Sequence, residues 1–302
     1  MENFMRKKHK LITFSVALFY ILSLPHVSFA ENTNSNKLGL YISLQYNPSV
    51  SVFSNFSAKE TSVNTQQLMA LKKDIDSIEI SYENNKGISM PENFTVLYVP
   101  KFQDNFAGFS STLGFFYSKG LRIEIGASYE KFDVKDPGGY TKIKDAYRYF
   151  ALAREMHKSS SSVIHIKKEE NNNNTKGVHY VVIRNDGISI SSATINGCYD
   201  FSFPNLPLSP YTCVGIGIDA IEFLNALHIK FACQGKLGFT YSVSPNVNLF
   251  ADGYYHKVMG NKFKNLPVQY VDHLEEYPSL TSAIATLDIG YLGGEIGVRF
   301  IF

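Results

Sequence analysis

Ile229-Lys230-Phe231-Ala232-Cys233-Gln234-Gly235-Lys236-Leu237-Gly238-Phe239-Thr240-Tyr241-Ser242-Val243 alternates along its whole length. The odd positions carry Ile, Phe, Cys, Gly, Leu, Phe, Tyr and Val. The even positions carry Lys, Ala, Gln, Lys, Gly, Thr and Ser. A period of two is the mark of a β-strand whose faces meet different environments. Fifteen residues far exceed the roughly 5–6 usual for a strand. A tilted membrane strand needs about 9–11 residues plus its rims. No Lys or Arg interrupts the odd face.

The pattern recurs in both directions along the chain. Leu38, Leu40, Ile42, Leu44 and Tyr46 alternate with Gly39, Tyr41, Ser43 and Gln45. Phe109 to Tyr117, Leu121 to Tyr129, a stretch within 187–201, a strand starting at Tyr211, and Val247 to His256 repeat it. The last strand runs to Phe302, with Ile296, Val298, Phe300 and Phe302 facing one way. Leu287, Ile289 and Tyr291 are out of phase with that set, and a bulge at Gly293-Gly294 is the expected remedy.

Connections alternate in length. Ser118-Lys119-Gly120, Phe203 to Pro210 with three prolines, and Ser244-Pro245-Asn246 are turn compositions. Long connections span about 48–105, 135–186 and 258–283. Short turns on one rim and long loops on the other describe an outer-membrane barrel. The expected fold is therefore all-β: a transmembrane antiparallel up-and-down β-barrel of about eight strands with long extracellular loops and both ends at the periplasmic rim.

The competing reading is a soluble sandwich. It would put many charges on its wet face, whereas the polar faces here are rich in Gly, Ser, Thr and Asn, which suit a narrow interior. Their few charged or titratable members are the lumen-lining candidates: Arg122, Glu124, Glu130, Asp200, Lys230, Lys236, Asp252, His256, Glu295 and Arg299. Tyr117, Tyr129, Tyr199, Tyr211 and Tyr241 fall near strand ends, where an aromatic girdle belongs. The 302 residues include 23 Phe and 19 Tyr but no Trp, so Tyr must fill that role. After residue 30 no run of 18 apolar residues exists, which excludes helical spans. A net charge of +2 gives no reason to expect nucleic-acid binding.

At the N-terminus Arg6, Lys7, Lys8 and Lys10 precede the apolar run Leu11–Leu24, and Ser28-Phe29-Ala30 offers small residues at a cleavage site. Residues 1–30 are expected to be a signal peptide and 31–302 the barrel domain. A membrane anchor is the alternative, for which the run is short. Removing the leader's +3 from the net +2 leaves the mature chain at −1. Three cysteines remain in an exported chain, so at least one lacks an intrachain partner. Cys198 and Cys213 flank the fourth turn on the inward phase and can form a cross-hairpin disulfide if the register aligns them. Cys233 is expected to face lipid. No Cys/His spacing suggests zinc.

Phe132-Asp133-Val134-Lys135-Asp136-Pro137-Gly138-Gly139-Tyr140, Asp145 through Glu155, Leu249 through Lys257 and Gly293 through Phe300 resemble the major surface antigen family of Ehrlichia and Anaplasma. The resemblance covers essentially the whole mature chain. It implies a surface-exposed protein of the cell outer membrane with variable, immunodominant loops, in a family some of whose members act as porins. It brings no catalytic residues and no cofactor. Cys233 departs from the aromatic residue similar members carry there. Phe300 and the terminal Phe302 resemble the signal read by the barrel-assembly machinery.

Within the loops, Gln66–Ile75 reads as helix-like. Asp145–His157 reads as an amphipathic helix with Ala146, Phe150, Ala153 and His157 on one stripe, either a lid over the mouth or a segment packed on the rim. Ser159–Ser162 and Asn171–Asn174 are low-complexity tracts expected to be mobile. Lys158, Lys167 and Lys168 beside them suit anionic surfaces or simply solvent. Asp252 and His256 share an inward face and read as a structural lumen pair; no nucleophile accompanies them, so no enzyme is expected. Two functions stay open: passive diffusion of small solutes past the lumen residues, and a barrel anchor whose loops serve host adhesion or immune evasion. Eight strands leave little interior space, so a pore calls for added strands or a homo-oligomer. The partners expected are outer-membrane lipid, the barrel-assembly machinery, host-cell surface molecules and antibodies.

Overall fold

Eight antiparallel strands pair edge to edge in chain order: β1 (Gly39–Tyr46), β2 (Phe109–Ser118), β3 (Leu121–Phe132), β4 (Ile188–Asp200), β5 (Leu208–Phe223), β6 (Ala226–Ser244), β7 (Val247–Val258) and β8 (Gly290–Ile301). β8 returns to β1, with Ile42 opposite Phe300 and Leu44 opposite Val298, so the sheet has no free edge and closes into a barrel. The computed structural model describes residues 39–61, 63–81, 86–118, 120–154, 156–158, 164–166, 180–202, 208–271 and 281–302. The expected leader, the tracts 159–162 and 171–174, and Lys167 and Lys168 lie outside them.

The alternation places the two faces as hydrocarbon requires. Val214, Ile216 and Leu237 are each 70% or more exposed and lie between the two rims, in an apolar belt suited to hydrocarbon. Cys233 lies on the same exterior. Tyr117, Tyr199 and Tyr241 stand outward near the short-turn rim, and Tyr46, Tyr129 and Tyr255 near the other. Tyr211 departs from the expected girdle: it is buried inside the barrel, because it shares the inward phase of Cys213. β5 and β6 meet at Leu224-Asn225, whose φ angles of 49° and 62° make the tight turn that suits a twisted hairpin.

β8 carries no bulge at Gly293-Gly294. Its register against β7 is unbroken from Val247–Phe300 to Lys257–Gly290. Ile296 and Phe300 face lipid while Leu287, Ile289 and Tyr291 are buried on the inside. The apolar phase switches because the interior itself turns apolar toward the long-loop rim. There Phe132, Ile188, Ile190, Ile221 and Phe223 point inward and join Phe150, Leu152, Phe263 and Leu266 of the loops in one core.

Those loop residues come from two further sheets. One orders the strands 270–271, 180–184, 149–153, 67–71 and 94–97, and the other 262–266, 283–288 and 54–60. Both expected loop helices are thus strands. Gln67–Leu71 pairs with Tyr149–Ala153, and the supposed stripe is spread over a short 3₁₀ turn at Lys144–Arg148 and the strands 149–153 and 156–158. The reason is burial on both faces: all five residues of Tyr149–Ala153 are buried, and a doubly covered strand loses the alternation that separates it from a helix. Tyr180–Arg184 belongs to this loop sheet. Asn185–Gly187 separates it from β4, and Gly187 sits at φ +98°.

Candidate functional site, the barrel lumen

The inward positions of β1 to β8 hold the only candidate site the sequence offers. Arg122 on β3 is fully buried. Its guanidinium pairs with Glu124, donates from Nε to Asp200 Oδ2 at 2.9 Å, lies 4.5 Å from the Tyr211 ring centroid and reaches Cys213 Sγ at 3.7 Å. Tyr41 donates its hydroxyl to Glu124 Oε1 at 2.6 Å. Arg299 approaches the same oxygen at 3.7 Å and spans the Tyr41 and Phe250 rings. Lys236 donates to Glu295 Oε2 at 2.6 Å. Asp252 stands opposite Glu295 in the β7–β8 register and accepts from the Tyr211 hydroxyl.

Two further carboxylates are held without a Lys or Arg partner. Glu130 accepts from Asn47 Nδ2 at 2.6 Å, Ser49 Oγ at 2.8 Å, Asn105 Nδ2 and the Tyr254 hydroxyl at 3.1 Å. Asp219 Oδ2 meets His256 Nε2 at 2.9 Å, while the His256 ring stacks on Tyr291 at 4.7 Å. The expected Asp252–His256 lumen pair does not form: both residues face inward, but each finds its partner on β5, two strands away. The tilt and stagger of barrel strands bring β5 and β7 residues together across the interior.

Nine of the ten lumen candidates lie inside the barrel. Lys230 does not. The last β6–β7 pair is Ala232–Val258, so Lys230 stands above it, donating to the Lys262 carbonyl at 3.0 Å over the Phe263 ring. Cys198 and Cys213 are directly opposed and bonded to each other. Phe300 is outward on β8, and Phe302 follows that strand's end. Sequence reading missed Tyr41, Tyr211, Asp219 and Tyr254, although their inward phase was available as a signal. It missed Asn47 and Ser49, which carry the inward phase of β1 beyond Tyr46 into the short strand Ser49–Ser51 on β8, and Asn105, which lies in a connection with no period.

Chemically the arrangement is a filled interior. Lumen carboxylates are matched by Arg122, Lys236 and Arg299, by His256, or by neutral donors, as burial demands. The cavity bordered by Thr112, Glu130, Gln234, Tyr254 and His256 measures about 20 Å³, room for about one water. Among the described residues, the one clustering of metal-ligand types is Glu124 with Cys198 and Cys213, and those sulfurs are committed to each other.

A family model described as "Surface antigen" matches residues 33–302. Major surface antigen 4 of Anaplasma marginale is 28% identical over 264 residues, covering 87% of this chain and 83% of that protein. Among solved structures, the outer membrane protein OprG from Pseudomonas aeruginosa aligns with a TM-score of 0.48 at 11% identity, over 88% of this chain and 97% of that one. Neisserial surface protein A aligns at 0.37 and 12% identity, over 89% and 100%. With its closed strands, its apolar exterior and a family match reaching from residue 33 to the last residue, this chain belongs to the surface antigen family as an outer-membrane barrel.

Proposed function

We propose that the barrel is a closed anchor that holds a β-structured head at the cell surface, and that it does not conduct solutes. The observation that carries this reading is the filled lumen, whose charges are paired inside the wall, whose cavity beside Glu130 and His256 holds only about 20 Å³, and whose long-loop mouth is crossed by an apolar core. A small sugar or amino acid needs a continuous wet path. Opening one here means separating buried ion pairs, at about 3–5 kcal/mol for each pair broken. The porin reading requires extra strands or a different assembly. Liposomes containing the purified protein are expected to swell in small sugars no faster than protein-free liposomes; swelling at a porin-like rate overturns the anchor.

The anchor reading assigns the rest of the molecule by position. Residues 1–30 direct export and are removed, which the N-terminal mass of the membrane-extracted protein checks. Phe300 and Phe302 are read by the barrel-assembly machinery. The sheets above the rim meet host-cell surface molecules and antibodies. Grafting 135–186 and 258–283 onto an inert barrel tests the host contact, and failure of both grafts to bind host cells counts against it.

A further inference from the structure

The Cys198–Cys213 bond lies where no enzyme can reach it. Each cysteine is 2% exposed, and Tyr211, Phe250 and Arg122 pack around the sulfurs inside the barrel. Thiol–disulfide exchange passes through a mixed disulfide, so a foreign sulfur must come within bonding distance of one of these two. The interior of an eight-stranded barrel is just wide enough for its own side chains, and an oxidising protein cannot enter it.

Nothing about the bond requires the barrel to be complete. The cysteines are 15 residues apart in sequence, and the β4–β5 register sets them directly opposite each other. Hairpin pairing alone brings them together, as local contacts form ahead of distant ones. The β4–β5 hairpin is also the centre of the sheet, with three strands on each side, opposite the β1–β8 seam. Until that seam closes, the inward face of the hairpin is open to solution.

We infer that the bond is made on the open chain, before β1 meets β8, by exchange with a dithiol oxidase of the periplasm. Cys198 and Cys213 together give up two protons and two electrons. The oxidase disulfide accepts them and departs as a dithiol, after one cysteine has attacked it and the other has displaced it. The bond then fixes the hairpin register through assembly, since a slip of one residue would turn Cys213 to the lipid face. The order of events rests on the reading of the chain as an exported barrel.

The test uses the full chain with Cys233→Ser, leaving the pair as the only thiols. In a Gram-negative host depleted of its barrel-assembly machinery, the processed precursor is trapped with a polymer-linked maleimide and run on a gel. The expected result is precursor with no reactive thiols. Processed precursor with both thiols free, gaining protection only as the heat-modifiable barrel appears, overturns the order. A second measurement stands apart from export. The folded, oxidised protein in micelles and the same chain opened in urea and freshly diluted are each given a protein dithiol reductant. Reduction of the folded form at least 100-fold slower is expected; equal rates overturn the inference. A precursor that stays unprocessed in the cytosol faults the export reading instead, and the two reduction rates then decide the order by themselves.

Discussion

Lys236 and Glu295 meet inside a wall of strands, each nearly out of reach of solvent. Removing one partner leaves the other charged and buried, which costs about 3–5 kcal/mol, whereas replacing both by apolar groups of similar size is often near neutral. Lys236→Met is therefore expected to destabilise the folded barrel by about that amount. Lys236→Met with Glu295→Leu should recover most of the loss. Urea titrations followed by the folded and unfolded gel bands measure both; equal losses in the single and double variants would show that the pair is not coupled. Gly114 makes a different point at the same scale. It stands opposite Tyr41 in the β1–β2 register, and a Cβ there would run into the Tyr41 ring. Gly114→Val is expected to block folding, and adding Tyr41→Ala to restore it. Outside the membrane, burial pushes the Tyr140 hydroxyl up to about 12, while it donates to the Leu71 carbonyl at 3.0 Å. Its folded-state value lies above the unfolded one near 10, so the contribution to stability is complete below pH 10 and disappears as pH rises through 12. Tyrosine absorbance during alkaline titration should show this late ionisation lost in Tyr140→Phe.

Strand β6 outruns its neighbour. Its last ladder partner on β7 is Val258, opposite Ala232; Phe231 still accepts from Met259 N at 2.7 Å, and Ala226–Phe231 continues in strand register with β5 alone. Exposure does not tell lipid from water along this strand, since Leu227 and Leu237 are 68% and 70% exposed. Depth does. An Arg in the middle of the hydrocarbon costs about 2–4 kcal/mol and near an interface about 0–1. Leu237→Arg is expected to cost the larger amount and Leu227→Arg the smaller, in refolding equilibria with lipid vesicles; equal costs would place the belt higher than the pairing implies. This exterior was legible in the sequence strand by strand, because lipid imposes one solvent on every outward residue and the period of two survives. The interior was legible only where it is polar. Leu287, Ile289 and Tyr291 keep the period of β8 but reverse which phase is apolar, because the environment changes along an unbroken strand, with no bulge at Gly293-Gly294. Tyr149–Ala153 lost the period altogether, being covered on both faces. The partner of His256 was not legible from spacing along β7, because barrel stagger brings it Asp219 from β5.

The molecule as a whole joins membrane barrel and surface head through one apolar core. Inward residues of the barrel, Phe132, Ile190, Ile221 and Phe223, pack in the same cluster as Phe150, Leu152 and Val181 of the loop sheet and Phe263 and Leu266 of the smaller one. Loops usually sit on a scaffold and tolerate replacement. Here the second long loop carries part of the scaffold's own interior. Replacing 133–187 by a short turn uncovers large apolar side chains at the mouth of the barrel, and each fully buried side chain of this size is worth about 1.5–3 kcal/mol. The shortened chain is expected to aggregate or to stay in its unfolded gel form. Rewriting the uncovered positions as Phe132→Thr, Ile190→Thr and Phe223→Thr is expected to return a folded barrel, since an eight-stranded interior accepts polar side chains below that level already. Heat modifiability of the two versions compares them directly. A shortened chain that folds as well with its apolar mouth as with a polar one would mean that the head rests on the barrel without sealing it, and the filled lumen would lose the cap that makes the anchor closed.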